Sequence, residues 1–389
     1  MNKRKICFII TSRNHYARSK LILGELKRRK DVELQIIIGA SALLPKYGDV
    51  VSSLKNDGFN YNFKIATAFE GGDPLAMAKT TGIGVTEFAT AFSNLEPDVV
   101  VVRGDRYEIL SAAVAAAYLN IPIAHLEGGD VTGNIDESVR HAVTKLAHIH
   151  FATNKQSKDR IIRMGEKPNY VFNFGCPGLE LIAKGRYGVS GASIRGVGSV
   201  IDINKPYLMA MQHPVTSEID KNRENVTKTL QAVHELQIPT IWLWPNIDAG
   251  TDEISKGIRI FREKNNPKNI YFIKHLPPEE FLGLLKKSLC LIGNSSAGIK
   301  ECSYFGVPVV NIGSRQNGRM HAENVVDTNY AKNSIKRAIE RQLKHGKYQL
   351  SNMYFQPGTG RKIAQVLAKT KLYTQKRFQD YRGIKYNNV

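Results

Sequence analysis

The strongest constraint on this chain is an alternation that runs along almost its whole length: a short apolar run, a stretch of helical periodicity, then another apolar run. Short apolar runs bounded by turn residues read as strands buried on both faces. Ile6–Thr11, Val32–Gly39, Tyr61–Ala66, Val99–Arg103, Ile123–Leu126, His150–Thr153 and Tyr170–Asn173 have this character, with helical patterns at Ala17–Arg29 and Pro74–Leu95 among the intervening segments. A Gly- and Ser-rich stretch, Tyr187–Asn204, interrupts the series. It resumes at Pro206–Met211, Thr240–Trp244, Ile270–Ile273, Leu289–Ile292 and Pro308–Ile312. Parallel strands need a crossover, and a helix supplies it, so the predicted class is α/β with doubly wound sheets. At 389 residues the chain has room for two such cores. The expected division is a first Rossmann-like domain over residues 1–185 and a linker over 186–204. A second Rossmann-like domain follows over 205–360, then a C-terminal helix and basic tail over 361–389.

Composition narrows the function classes. The net charge of +20 raises nucleic acid as a partner. The lysines and arginines are spread along the chain, however, and no recognition helix, stacking sheet or zinc-finger pattern accompanies them. A field that draws in a small polyanion fits as well, and so does a plain solvated basic surface. No apolar run approaches the roughly 18–20 residues that span a bilayer, and the five-residue run after the basic start, Ile6 to Ile10, is too short for a signal peptide. No nucleic-acid or membrane partner is expected, and the expected location is the cytosol. The four cysteines are scattered without metal-ligand or disulfide spacing, so no metal site is expected.

Chemistry gathers at the carboxyl ends of parallel strands, and the stretch Pro97–Phe151 places three acids there. Asp105 follows Val99–Arg103, Glu127 follows Ile123–Leu126, and Asp136 opens the next helix. Helix capping accounts for Asp136 alone, and not for the other two. Crowded carboxylates raise at least one pKa, so that one holds a proton while another accepts one, which is the equipment of general acid–base catalysis. In the second half, Gly293-Asn-Ser-Ser-Ala-Gly follows a strand and begins a helix. Its N–H groups and the hydroxyls of Ser295 and Ser296 suit a diphosphate, with Glu301 a candidate acceptor for ribose hydroxyls. An ordinary serine N-cap explains the same residues. His213 ends the first strand of the second series and projects towards the cleft between domains. Arg13, Arg106, Asn246 and Arg315 also follow strand ends, and guanidinium groups are natural bidentate partners of phosphate.

With these residues in view, the chain resembles the UDP-N-acetylglucosamine 2-epimerase family, and within it the hydrolysing branch of the sialic and legionaminic acid pathways. The resemblance covers about residues 4–370. It rests on RGDRYE, HLEGGDVTGNIDESVRHAVTKLAHIHF, HPVTSE, WPNIDAG, GNSSAGIKE and GSRQNGR, in that order. It implies two Rossmann-like domains in the glycosyltransferase-B arrangement with a UDP-linked amino sugar between them, no cofactor, and assembly as a homodimer or homotetramer. By matching positions, Asp105, Glu127 and Asp136 would work on the sugar, with Asp105 and Glu127 as the proton-transfer pair, and His213 would contact or protonate the diphosphate. Arg13, Arg106, Ser295, Ser296 and Arg315 would hold phosphates, Glu301 the ribose, and Asn246 would line the nucleotide pocket. The implied reaction is anti elimination of UDP to a glycal, followed by addition of water to release the 2-epimeric sugar, N-acetylmannosamine from UDP-N-acetylglucosamine. The first loop, Thr11-Ser-Arg-Asn-His-Tyr-Ala-Arg18, departs from the family pattern, with His15 in place of an acid and Ala17 where some relatives have Ser. This keeps a UDP-2,4-diacetamido-2,4,6-trideoxy sugar open as the substrate. A non-hydrolysing epimerase and a glycosyltransferase of the same build are the other readings.

Overall fold

Seven parallel strands form the first sheet, and the chain enters it in the middle. The elements are β1 (Arg4–Ile10), α1 (Arg13–Lys27), β2 (Val32–Gly39), α2 (Val50–Asn56), β3 (Phe63–Ile65) and α3 (Pro74–Leu95). They continue with β4 (Val99–Arg103), α4 (Tyr107–Tyr118), β5 (Ile123–Leu126), α5 (Ile135–Leu146), β6 (Ile149–Ala152), α6 (Lys155–Arg163), β7 (Val171–Asn173) and α7 (Pro177–Ala183). The structure is a computed structural model, which describes residues 3–44, 49–67, 73–185, 187–188, 196–245, 248–274 and 276–380.

The strand order is β3-β2-β1-β4-β5-β6-β7. The winding therefore reverses between β1 and β4, and the loops after these two strands leave in opposite directions and open a crevice. The strands form because β1, β2 and β4 are Ile- and Val-rich runs buried on both faces. Local signals set the helix starts: Ser12 accepts from the His15 N–H to cap α1, and Asp73 caps α3 ahead of Pro74.

The second sheet repeats the plan. Its elements are β8 (Gly196–Gly198), β9 (Leu208–Met211), α8 (Asn222–Glu235), β10 (Thr240–Leu243), α9 (Thr251–Asn265), β11 (Ile270–Ile273) and α10 (Pro278–Lys287). Then come β12 (Leu291–Gly293), α11 (Ser296–Ile299), α12 (Glu301–Phe305), β13 (Val309–Ile312), β14 (Val325–Thr328), α13 (Lys332–His345) and α14 (Thr359–Lys369). The order is β14-β13-β12-β9-β10-β11-β8, so this sheet switches between β9 and β12. At that switch Gly293 has φ of +129°, and a Cβ there would run into the carbonyl of Met211 on the neighbouring strand. Glycine is what lets the two strands meet at the mouth of the crevice.

Two parts of the chain depart from the expectation. The stretch read as a linker contains β8, an antiparallel edge strand on β11. The last helix returns to the first sheet: Ile363, Ala364 and Leu367 of α14 are buried with Phe8, Leu23 and Leu26 in its core. The tail, for which no fold was expected, continues along the same domain. His148 holds this segment through Nε2, which donates to the Thr374 carbonyl at 2.9 Å. Lys376 reaches the carbonyls of Lys145 and Ala147 at the end of α5 and the buried Glu166 carboxylate. No helix among the described residues is long and apolar enough to cross a membrane.

Candidate active site

The two switch points face each other across one cavity of about 390 Å³. Asp105, Glu127, Asp136, Arg13 and Arg106 line it from the first domain, and His213, Ser295, Ser296, Glu301 and Arg315 from the second. Asn246 lies outside the described residues. Sequence separation is large, and it is the paired topological reversals that bring these residues together.

The three acids stand in different environments. Asp105 is held by Arg140, whose Nε lies 3.0 Å from Oδ2 and whose Nη2 donates to the same oxygen. Burial works to raise the Asp105 carboxyl, but Arg140, with Arg319 and Arg315, outweighs it and holds the carboxyl below its ordinary value. Glu127 lies deeper and sits in the left-handed region with φ of +66°, a strained setting for a glutamate. Its Oε1 accepts from Arg103 at 2.6 Å and from the Cys176 thiol at 3.2 Å. Its Oε2 lies 3.6 Å from both Arg18 and Lys300. Burial again opposes ionisation, yet Arg103, Lys300 and Arg18 hold the carboxyl well below the usual range.

Asp136 behaves in the opposite sense. It lies in the first turn of α5, where Asn134 occupies the N-cap position, so it is not the cap itself. Burial, then the neighbouring Asp105 carboxylate, push it up to about 6, against the pull of Arg315. Of these three acids, two are thus held ionised, as is Asp248, which lines the same cavity, and Asp136 alone is raised, to about 6.

On the opposite wall, His213 and Asn294 tie the two switch-point loops together. The His213 N–H donates to Asn294 Oδ1 at 2.7 Å, and Asn294 Nδ2 returns a bond to the His213 carbonyl at 2.9 Å. Burial, then the Arg315 charge, push the imidazole down to about 3, so it stays neutral over the working range. The helix expected after β12 is present and short. α11 is a single turn, kinked at Lys300 before α12 begins. Its dipole is correspondingly small, so the donors this turn presents are the Ser295 and Ser296 hydroxyls and the backbone N–H groups. Glu301 gives Oε1 to Arg18 at 2.6 Å, while Oε2 is buried with no hydrogen-bond partner among the described residues.

Arginines bridge the cleft. Arg13 Nη1 donates to the Leu276 carbonyl at 2.9 Å, and Arg106 Nη1 to Asp248 at 2.8 Å. From the other side Arg319 Nη2 reaches Asp130 at 2.8 Å, and Arg315 Nη2 stands 3.9 Å from Asp136 and from Asp248. Reading the sequence missed Arg18, Arg103, Asp130, Arg140, Asp248, Lys300 and Arg319. Several lie inside the motif blocks, Arg103 in RGDRYE, Asp130 and Arg140 in the long block, Asp248 in WPNIDAG and Lys300 in GNSSAGIKE. Their presence was visible, but their partners are tertiary.

Comparison with known proteins gives this geometry its family. The UDP-N-acetylglucosamine 2-epimerase family model matches residues 24–368. The UDP-N,N'-diacetylbacillosamine 2-epimerase (hydrolyzing) of Legionella pneumophila is 35% identical over 372 residues, 96% of this chain and 97% of that protein. The UDP-N-acetylglucosamine 2-epimerase of Neisseria meningitidis serogroup B is 29% identical over 353 residues, 90% of each. Among solved structures, the Methanocaldococcus jannaschii UDP-GlcNAc 2-epimerase in complex with UDP-GlcNAc and UDP superposes with a TM-score of 0.77 at 18% identity. The superposition covers 93% of this chain and 99% of that one. The fold is thus two Rossmann-like domains in the glycosyltransferase-B arrangement, and the chain belongs to the UDP-N-acetylglucosamine 2-epimerase family.

Proposed function

We propose that the protein is a hydrolysing 2-epimerase of a UDP-linked 2-acetamido sugar. The observation that carries this reading is the split ionisation of its acids: Asp105 and Glu127 lowered from their ordinary values and Asp136 raised to about 6, in one cavity. The C2 proton of the sugar is barely acidic, so its removal needs a placed base and a departing group at C1. In the elimination, Asp105 accepts that proton and the C2–H electron pair forms the C1=C2 bond. The C1–O bond breaks, and its electrons stay on the diphosphate. Arg13, Arg106 and Arg315, the Ser295 and Ser296 hydroxyls, and an N–H of the neutral His213 take up the charge of the leaving diphosphate. This favours His213 as a hydrogen-bond donor over His213 as an acid. The buried Glu301 Oε2, which has no hydrogen-bond partner among the described residues, suits a ribose hydroxyl.

Hydration of the glycal then needs a proton for C2 and a base for water. Asp136 delivers its proton to C2, the water oxygen bonds to C1, and the water's proton passes to Glu127. Proton removal and delivery thus divide between Asp105 and Asp136, rather than between Asp105 and Glu127, because among these three acids it is Asp136 whose pKa is raised towards neutrality.

For the sugar itself, the 2,4-diacetamido-trideoxy form is the second reading, and a specific observation favours it. The cavity lining includes Met77, Ile135 and Val139, apolar side chains suited to a C6 methyl and an acetamido methyl. The Legionella relative carries the corresponding name. The test is incubation with UDP-N-acetylglucosamine and with its 2,4-diacetamido-trideoxy analogue in deuterated water, with products identified by NMR. Free 2-epimeric sugar carrying deuterium at C2, with equimolar UDP, is expected. A product still linked to UDP would replace this reading with the non-hydrolysing epimerase.

A further inference from the structure

Lys300 is the residue that the proposed chemistry leaves unused. It sits at the kink between α11 and α12 and is fully buried, 0% exposed. It does not line the cavity. Its Nζ lies 3.6 Å from Glu127 Oε2 and 3.5 Å from Asp130 Oδ2, both in the loop after β5 of the other domain, and 5.4 Å from the centre of the Tyr354 ring. The Nζ makes no hydrogen bond among the described residues. A buried lysine is costly unless its charge is matched, and here the match comes from the opposite domain.

The next residue does the same in the opposite sense. Glu301 pairs at 2.6 Å with Arg18 of α1, and Arg18 itself approaches Glu127 to 3.6 Å. Two consecutive residues of the turn that follows Ser295 and Ser296 therefore send a cation and an anion across the cleft, and both paths meet at Glu127. Asp130 extends the connection: its carbonyl accepts from Arg140 Nη1 at 2.8 Å, and Arg140 holds Asp105.

We infer that Lys300 is a positioning residue that ties the diphosphate-seating turn to the acid loop, so that the arrangement of the acids depends on the two domains being together. This rests on the proposed reaction for its kinetic consequences, while the tie between domains stands without it. The groups facing Glu127 are Arg103 of β4, Arg18 of α1, Cys176 ahead of α7 and Lys300, with His15 of α1 and Glu301 beyond them. Those facing Asp130 are Lys300, Arg319, Arg140, Ser157 and Asn154. Removing Lys300 takes away one of the charges that keep both carboxylates ionised.

The test compares Lys300→Met and Lys300→Arg with the wild type. For Lys300→Met, kcat is expected to fall about 10²-fold, the size of a small misplacement of reacting groups, and UDP binding to weaken with it, because opening removes the first domain's contacts to the diphosphate. Its acid limb of kcat/KM should move to higher pH. Lys300→Arg keeps the charge, so it should keep the wild-type limb and recover most of the rate. An unshifted limb in Lys300→Met, or an equal shift in both variants, overturns the role. Small-angle scattering supplies a readout that needs no turnover: with UDP bound, Lys300→Met should be more open than the wild type. Equal radii of gyration would overturn the tie between domains. Absence of free sugar from the wild type would instead refute the reaction, leaving the scattering result to decide the tie.

Discussion

At the scale of single residues, the site works by giving chemically similar side chains different surroundings. Asp105 and Glu127 are held as anions because arginines and a lysine face them, whereas Asp136 keeps its proton up to about pH 6, because burial and Asp105 oppose its charge. This division predicts that Asp105→Asn and Glu127→Gln lower kcat by roughly 10²–10⁴-fold, the usual range for a proton-transfer group, with UDP affinity unchanged. Ser296→Ala and Arg315→Ala should act the other way, weakening UDP binding about tenfold or more, since a hydrogen bond to a charged group is worth ~1.5–3 kcal/mol. Isothermal titration with UDP beside steady-state kinetics separates the two classes. An Asp105→Asn variant that lost UDP affinity as steeply as rate would contradict the division.

Asp136 carries its own pH prediction. Its folded-state pKa, about 6, lies above the ordinary 3.8, so folding takes up a proton between these values. The associated stability is fully present below about 3.8 and is lost as pH rises through about 6. Asp136→Asn should therefore gain in melting temperature relative to the wild type as pH is raised from 5 to 8. In the same interval wild-type kcat/KM should decline as the proton needed for delivery is lost. A melting-temperature difference that stayed constant with pH would show that Asp136 titrates normally.

At the scale of elements, the loop between β5 and α5 is the joint on which the site turns. It holds Glu127 and Asp130, leads into α5 just ahead of Asp136, and touches the other domain at Gly133. The Gly133 N–H donates to the Arg315 carbonyl at 3.3 Å, and a Cβ on Gly133 would collide with the Ser314 carbonyl. Gly133→Ala should thus hold the domains apart, lowering kcat and UDP affinity together while leaving the melting temperature of the ligand-free protein nearly unchanged. Thermal shift with and without UDP checks this, and a full UDP-induced shift in the variant would rule it out. The far end of α5 is fixed too, by Lys376 on its terminal carbonyls, which accounts for a basic tail whose sequence shows no fold of its own.

The elements also show which parts of the fold were legible. Central strands such as Val99–Arg103 are buried on both faces, and a continuous apolar run is their direct trace. The missed strands are edges: β8 is Gly-Val-Gly and exposed, and β14, Val-Val-Asp-Thr, has polar residues on its outer side. Pairing with a neighbour makes them strands, and composition does not record a neighbour. The same reason separates the site residues that were found from those that were not. Asp105, Glu127 and His213 stand at strand ends, a local signature. Arg18 and Lys300 matter only for what they meet in the other domain.

At the scale of the molecule, the chain passes between the domains twice, and the two passages are fastened together. The Cys176 N–H donates to the Tyr354 carbonyl at 2.6 Å, and Thr359 Oγ1 to the Phe174 carbonyl at 2.5 Å. A joint of two bonded strands resists torsion and shear but yields to bending. Relative motion of the halves should then be mainly a change in one angle, with the charged pairs that span the cleft lengthening as it grows. Such a linkage opens as a unit, like a book whose spine is sewn in two places. A chemical cross-link anywhere along its free edge would therefore arrest the whole movement.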